Sequence, residues 1–107
     1  MPGIQLILKI HLNDDGRTRT FAEMLKDLGD DGFVPVPGMA IEDDVWGSQG
    51  RLMERVVLRP ESSERKLQAS YLVHLVPEVF NSREACSNRI QDFEYGRWRV
   101  DLLDPPS

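Results

Sequence analysis

The sequence predicts an α+β domain, an antiparallel or mixed sheet of four to five strands with two helices packed on one face. Three observations carry that expectation. Ile4, Leu6, Leu8, Ile10 and Leu12 alternate with Gln5, Ile7, Lys9 and His11, the period-two pattern of a half-buried strand. Two segments, 51–59 and 67–76, are rich in β-branched and aliphatic residues and are separated by a polar stretch with Pro60, Ser62 and Ser63, as in a β-hairpin. Between and after these lie two stretches with apolar residues three and four apart, the spacing of a helix. Helices and strands do not alternate regularly, which argues against a parallel α/β sheet. A small β-barrel closed by the hairpin, again with two helices, is the alternative architecture. The 107 residues fit one domain spanning 1–107.

Each element has its own signal. After the first strand, Asn13, Asp14, Asp15 and Gly16 form a turn, because Asp and Asn bond their own backbone and Gly accepts positive φ. Thr20 and Glu23 have capping-box spacing, Phe21, Met24, Leu25 and Leu28 recur at three and four, and Gly29 stands where a helix would stop, which predicts a helix over 21–28. A second turn is expected at 30–32. Pro35 and Pro37 hold the next segment extended, and 39–41 makes at most a short edge strand. Residues 42–50 read as a loop containing three consecutive acids, Gly47, Ser48 and Gly50. In the later hairpin strand Tyr71, Val73 and Leu75 share a face opposite His74. Asn81 or Ser82 caps a second helix that carries Ala85, Cys86, Ile90 and Phe93 on one stripe and ends near Gly96. Trp98, Val100 and Leu102 then alternate as a final strand, and 104–107 is a frayed tail.

Composition narrows the function classes. The net charge is −5, and all of the excess lies in 1–48, where four bases face nine acids, while 49–107 holds nine of each. Acidic loops repel phosphate, so nucleic-acid binding by the first half is disfavoured. Apolar runs are interrupted at Lys9, His74 and Pro77, which leaves none long enough to cross a bilayer. A single cysteine suits a reducing compartment, and with no secretory signal pattern the expected location is the cytoplasm. A core of this size is adequate, so a homodimer would add burial without being required.

No catalytic or cofactor motif stands out. His11 and His74 lie on the solvent side of their strands with no carboxylate or thiol at a short ligand spacing, so no metal site is expected. Cys86 falls on the apolar stripe of its helix, which favours a core role over that of a nucleophile. Adjacent acids such as Asp14 with Asp15 belong to solvated turns that supply no difference in environment to split their pKa values. Arg51, Arg55 and Arg59 share strand parity and would line one face, a stripe able to meet an acidic partner or a phosphate backbone but interspersed with Glu54 and Glu61.

The candidate partner-binding residues are Glu42, Asp43, Asp44 and Trp46. A tryptophan among acids is suited to anchoring an interface and selecting a basic protein; the competing role is to fold back over the end of the sheet. The function expected from the sequence is a non-enzymatic protein-binding or regulatory module, of the kind that includes small inhibitors, immunity-like proteins and accessory subunits. The alternative is a small enzyme or ligand-binding domain with a pocket at a dimer interface.

Overall fold

The computed structural model describes residues 3–29, 34–63 and 66–103. Among them, seven strands and one helix follow in the order β1 (Gly3–Asp14), β2 (Arg17–Gly29), β3 (Ala40–Asp43), β4 (Gly47–Ser63), β5 (Lys66–Leu75), β6 (Glu78–Phe80), α1 (Arg83–Tyr95) and β7 (Arg99–Leu102). The strands form one mixed sheet in the order β3-β4-β5-β1-β2-β7, with β6 also pairing β1. The turn expected at 30–32 and the tail expected at 104–107 lie outside the described residues.

The alternating segment at the N-terminus is the central strand. β1 pairs antiparallel with β2 on one side and parallel with β5 and β6 on the other. Its even-numbered residues, Ile4 to Leu12, are at most 2% exposed and form the centre of the core. The β1–β2 turn places Asp15 at φ 51° and Gly16 at φ 77°. Two successive left-handed residues are what a two-residue hairpin needs to match strand twist, and an Asp-Gly pair supplies them at low cost.

The predicted helix over 21–28 is instead the middle of β2, and the reason is geometric. A bulge between the Ile10–Ala22 and His11–Thr20 pairs inserts Phe21, so Phe21 and Ala22 are both buried. Met24 faces the core, while Leu25, opposite Ile7, is buried on the other face. A further irregularity between Ile4 and Gln5 gives Leu28 no direct partner, and Leu28 packs against the core. Two bulges and a strand apolar on both faces thus reproduce the three-and-four spacing of an amphipathic helix.

Bulges also set which side chains share a face. Met53 opposes Leu75 and Arg55 opposes His74, so Glu54 is the extra residue in β4. The parity expected for Arg51, Arg55 and Arg59 is therefore broken. Arg51 turns inward over Trp46 and onto Glu78, and Arg55 pairs across from His74 on the outer face. A similar shift lies between β5 and β6, where Leu8 and Lys9 face Leu75, Val76 and Pro77. Pro77 has no N–H to give to a ladder, which is why one extended edge divides into two strands.

The single helix has the caps its sequence indicated. Ser82 Oγ accepts from the Ala85 N–H at 3.1 Å, Glu84 stands in the first turn, and Gly96 closes the end through its N–H to the Asp92 carbonyl. Its buried residues, Cys86, Ile90 and Phe93, face the even-numbered side chains of β1. The expectation of four or five strands with two helices is overturned: the described residues are mostly β, with seven strands and one helix. The barrel alternative falls as well, because the sheet path is open, ending in β3 and β7.

Candidate functional site

The acidic segment expected to be a loop is a tight hairpin whose tip belongs to the core layer. β3 and the start of β4 pair from Ala40–Leu52 to Asp43–Gly47. The intervening turn lies against the end of α1, where a Cβ added to Gly96 would meet Val45 Cγ2 at 2.6 Å. The hairpin tip and α1 thus cover the inner face together.

Asp43 is the knot of this arrangement. Its carboxylate accepts from Lys26 Nζ at 2.5 Å, from the Val45 N–H at 3.1 Å and from the Trp98 indole N–H at 3.1 Å, and its side chain is 5% exposed. Burial pushes this carboxyl upward, but the three hydrogen bonds and the Lys26 charge outweigh it and hold the group below its ordinary 3.8.

Trp46 donates its indole N–H to the Ile41 carbonyl at 2.8 Å and packs on Trp98 and Phe93, with ring centroids 5.7 and 6.3 Å away. Arg51 lies over its ring and reaches Glu78, which also holds Arg89 by two hydrogen bonds, and Arg89 in turn lies over Phe93. Of the four residues singled out in the sequence, Asp43 and Trp46 face inward and Glu42 and Asp44 remain exposed. Cys86 is fully buried, and burial pushes its thiol upward, away from the reactive thiolate.

The outer face of the sheet carries a second group. Arg55 and His74 are opposite one another, His74 is opposite Ile7, and Ile7 is opposite Leu25, which places β4, β5, β1 and β2 side by side. One row further along are Val57, Leu72 and Gln5. Val57 is 37% exposed and Leu72 half-buried, whereas Ile7 and Leu25 are nearly covered by the longer side chains around them. No helix or strand among the described residues packs on this face.

Where the β5–β6 edge breaks at Pro77, this face sinks into a hollow of about 280 Å³, bordered by Lys9, His11, Glu54, Arg55 and His74 above Ile7 and Pro77. The two histidines, separate in sequence, are brought to one place because β1 and β5 are parallel neighbours. Arg55 donates to His74 Nε2 at 3.3 Å, which leaves the proton of the neutral imidazole on Nδ1, since a guanidinium can only donate. Burial, then Arg55 and Lys9, hold the His74 pKa below its ordinary value against the weaker pull of Glu23 and Glu54. Lys9 and Arg55 are not legible in the local sequence as companions of the two histidines, because strand order decides that grouping.

No protein-family model, curated protein or solved structure matches this chain. Among the described residues no cluster of three or more His, Cys, Asp or Glu is placed to hold a metal ion, and no helix is long and apolar enough to cross a membrane.

Proposed function

We propose that the protein is a small binding module that docks a protein partner on the open face of its sheet, acting as an inhibitor, immunity-like or accessory protein rather than as a catalyst. The observation that carries this is the asymmetry of the two faces. One is sealed by α1 and the β3–β4 tip. The other exposes Val57 and part of Leu72, with Ile7 and Leu25 almost covered beside them, obliquely across four strands, bordered by Lys9, Arg55 and Arg99 and by Glu23, Asp27 and Asp101. An apolar centre within a charged rim is the usual anatomy of a protein interface. Strands also hold such a patch rigidly, which lowers the entropy lost on docking.

Site-directed photo-crosslinking in the native host tests this. A probe at Gln5, in the middle of the outer face, is expected to give one discrete adduct that a probe at Gln91 on α1 does not give. Leu72→Asp is expected to abolish that adduct in a folded protein. Absence of an outer-face adduct, or equal labelling from both positions, would sink the proposal.

The anchored turn favours a second docking point. Hydrogen bonds of Asp43 and Trp46 to the turn backbone anchor it, and Glu42 and Asp44 are presented outward from that anchored turn, in a position to steer a basic protein. Replacing both by Gln and Asn is expected to slow association with the partner and flatten its salt dependence while dissociation stays unchanged. A partner bound at the parental rate by that variant excludes the turn from the interface.

A further inference from the structure

The inner and outer cations of this protein are treated differently. Lys26, Arg51 and Arg89 each have a carboxylate within ion-pair distance. Lys9 and Arg55, on the outer face, form no ion pair among the described residues, although both border the same hollow. Two cations without an ion pair among the described residues thus converge on one depression, against one carboxylate of its lining, Glu54, and Glu23 opposite Lys9 on β2, on a chain of net charge −5.

From this convergence we propose that the hollow between Lys9, His11, Arg55 and His74 is a binding site for an oxyanion, the carboxylate or phosphate group of a ligand. Beside Glu54, four of the lining side chains can donate. Lys9 supplies a point charge from β1, and Arg55 supplies a planar fork from β4 whose hydrogen bond to His74 uses one nitrogen, Nη2. His74 carries a proton on Nδ1. His11 is oriented by its Nδ1 contact with Thr20 Oγ1 at 3.2 Å, which leaves Nε2 without a protein partner among the described residues. Ile7 and Pro77 form an apolar floor that excludes water beneath the charge and strengthens these bonds. The bulge at Pro77 creates the depression.

The proposal deepens the docking proposal above and rests on it only for the source of the anion. On that basis the oxyanion is a carboxylate of the partner, an Asp or Glu side chain entering the hollow beside the apolar patch. A free phosphorylated ligand would use the same donors.

Imidazole resonances of His11 and His74, followed by NMR at pH 7 and constant ionic strength, provide the test, with sodium acetate, inorganic phosphate and sodium chloride as separate titrants. Acetate or phosphate is expected to give saturable shifts at both rings that chloride does not. Bound anion is also expected to raise the His74 pKa, because its charge offsets Arg55 and Lys9 and adds to Glu23 and Glu54. Lys9→Gln and Arg55→Gln are each expected to weaken binding about tenfold or more, the loss of one charge-assisted hydrogen bond. Both side chains lie outside the core, and an unchanged melting temperature confirms that each variant is folded. Tighter binding of acetate assigns the site to carboxylates, and tighter binding of phosphate to phosphorylated ligands.

Shifts that match those from chloride, or that survive both substitutions, would overturn the site. The docking proposal would then still stand or fall on the Gln5 adduct, and loss of that adduct with anion binding intact would remove only the partner as the source.

Discussion

Trp98 and Asp43, 55 residues apart, are joined by an indole N–H donating to a carboxylate oxygen at 3.1 Å. That bond ties the residue before the last strand to the tip of the β3–β4 hairpin, and Lys26 from β2 completes the knot. Three segments that the chain order keeps apart thus meet at one carboxylate. Asp43→Ala would strip three donors of their acceptor and leave Lys26 unpaired. A loss of about 2 to 4 kcal/mol is expected from the unmade hydrogen bonds and the broken, partly buried ion pair. Urea denaturation reads this directly. A value within 0.5 kcal/mol of the parent, roughly the surface-substitution range, would show that the knot is absent in solution.

Trp46 and its acidic neighbours should separate in behaviour. Trp46→Ala removes ring contacts to Phe93 and Trp98 and is expected to cost about 2 to 4 kcal/mol, somewhat below a fully buried aromatic truncation. Glu42→Gln with Asp44→Asn, both exposed, should stay within about 0.5 kcal/mol of the parent. Equal effects of the two changes would contradict the inward orientation of Trp46.

Gly96 is required by proximity, since its φ of −78° is open to any residue. A methyl group there would meet Val45 Cγ2 at 2.6 Å and Trp98 Cδ1 at 3.4 Å, forcing the hairpin tip off the helix end. Gly96→Ala is expected to destabilise by about 1 to 3 kcal/mol, as overpacking does, although the same change at an open site would stabilise slightly. A raised melting temperature would refute this close approach.

On β1, Leu8 is completely buried and Lys9 faces outward. Leu8→Ala should cost about 2 to 5 kcal/mol and Lys9→Ala little. Similar denaturation midpoints for the two variants would mean that the strand's facing is misassigned.

Stability should depend on pH through two groups of opposite charge type. Asp43 is held below 3.8, so its contribution is fully present above that value and is lost as pH falls through the lowered pKa. His74 is held below 6.5, so it is without effect above 6.5; below it the unfolded chain takes up a proton that the folded one resists, and stability drops until the lowered pKa is passed. His74→Gln should therefore flatten the stability profile just below pH 6.5, and Asp43→Asn the profile in the acid limb. A curve unchanged by either substitution would count against these environments.

The sequence by itself determined the elements whose signals are local. Alternation fixed β1 and its inward face, Asp15 and Gly16 fixed the first hairpin turn, and Ser82 with Gly96 bounded α1, because turn and cap geometry involve only a few adjacent residues. The core role of Cys86 was legible for the same reason, from its place on one helical stripe. Tertiary structure alone decided the rest. Phe21, Met24, Leu25 and Leu28 have helical spacing, yet they are strand residues, since bulges and burial on both faces depend on what lies beside β2. The bulge at Glu54 divided the expected Arg51, Arg55 and Arg59 face, and the parallel pairing of β1 with β5 gathered Lys9, His11, Arg55 and His74. The acids at 42–44 were visible as charge, but whether each faces a partner or the core depended on Lys26 and Trp98, distant in the chain. Side-chain facing in a sheet follows register, and register is set by neighbours that local sequence does not name.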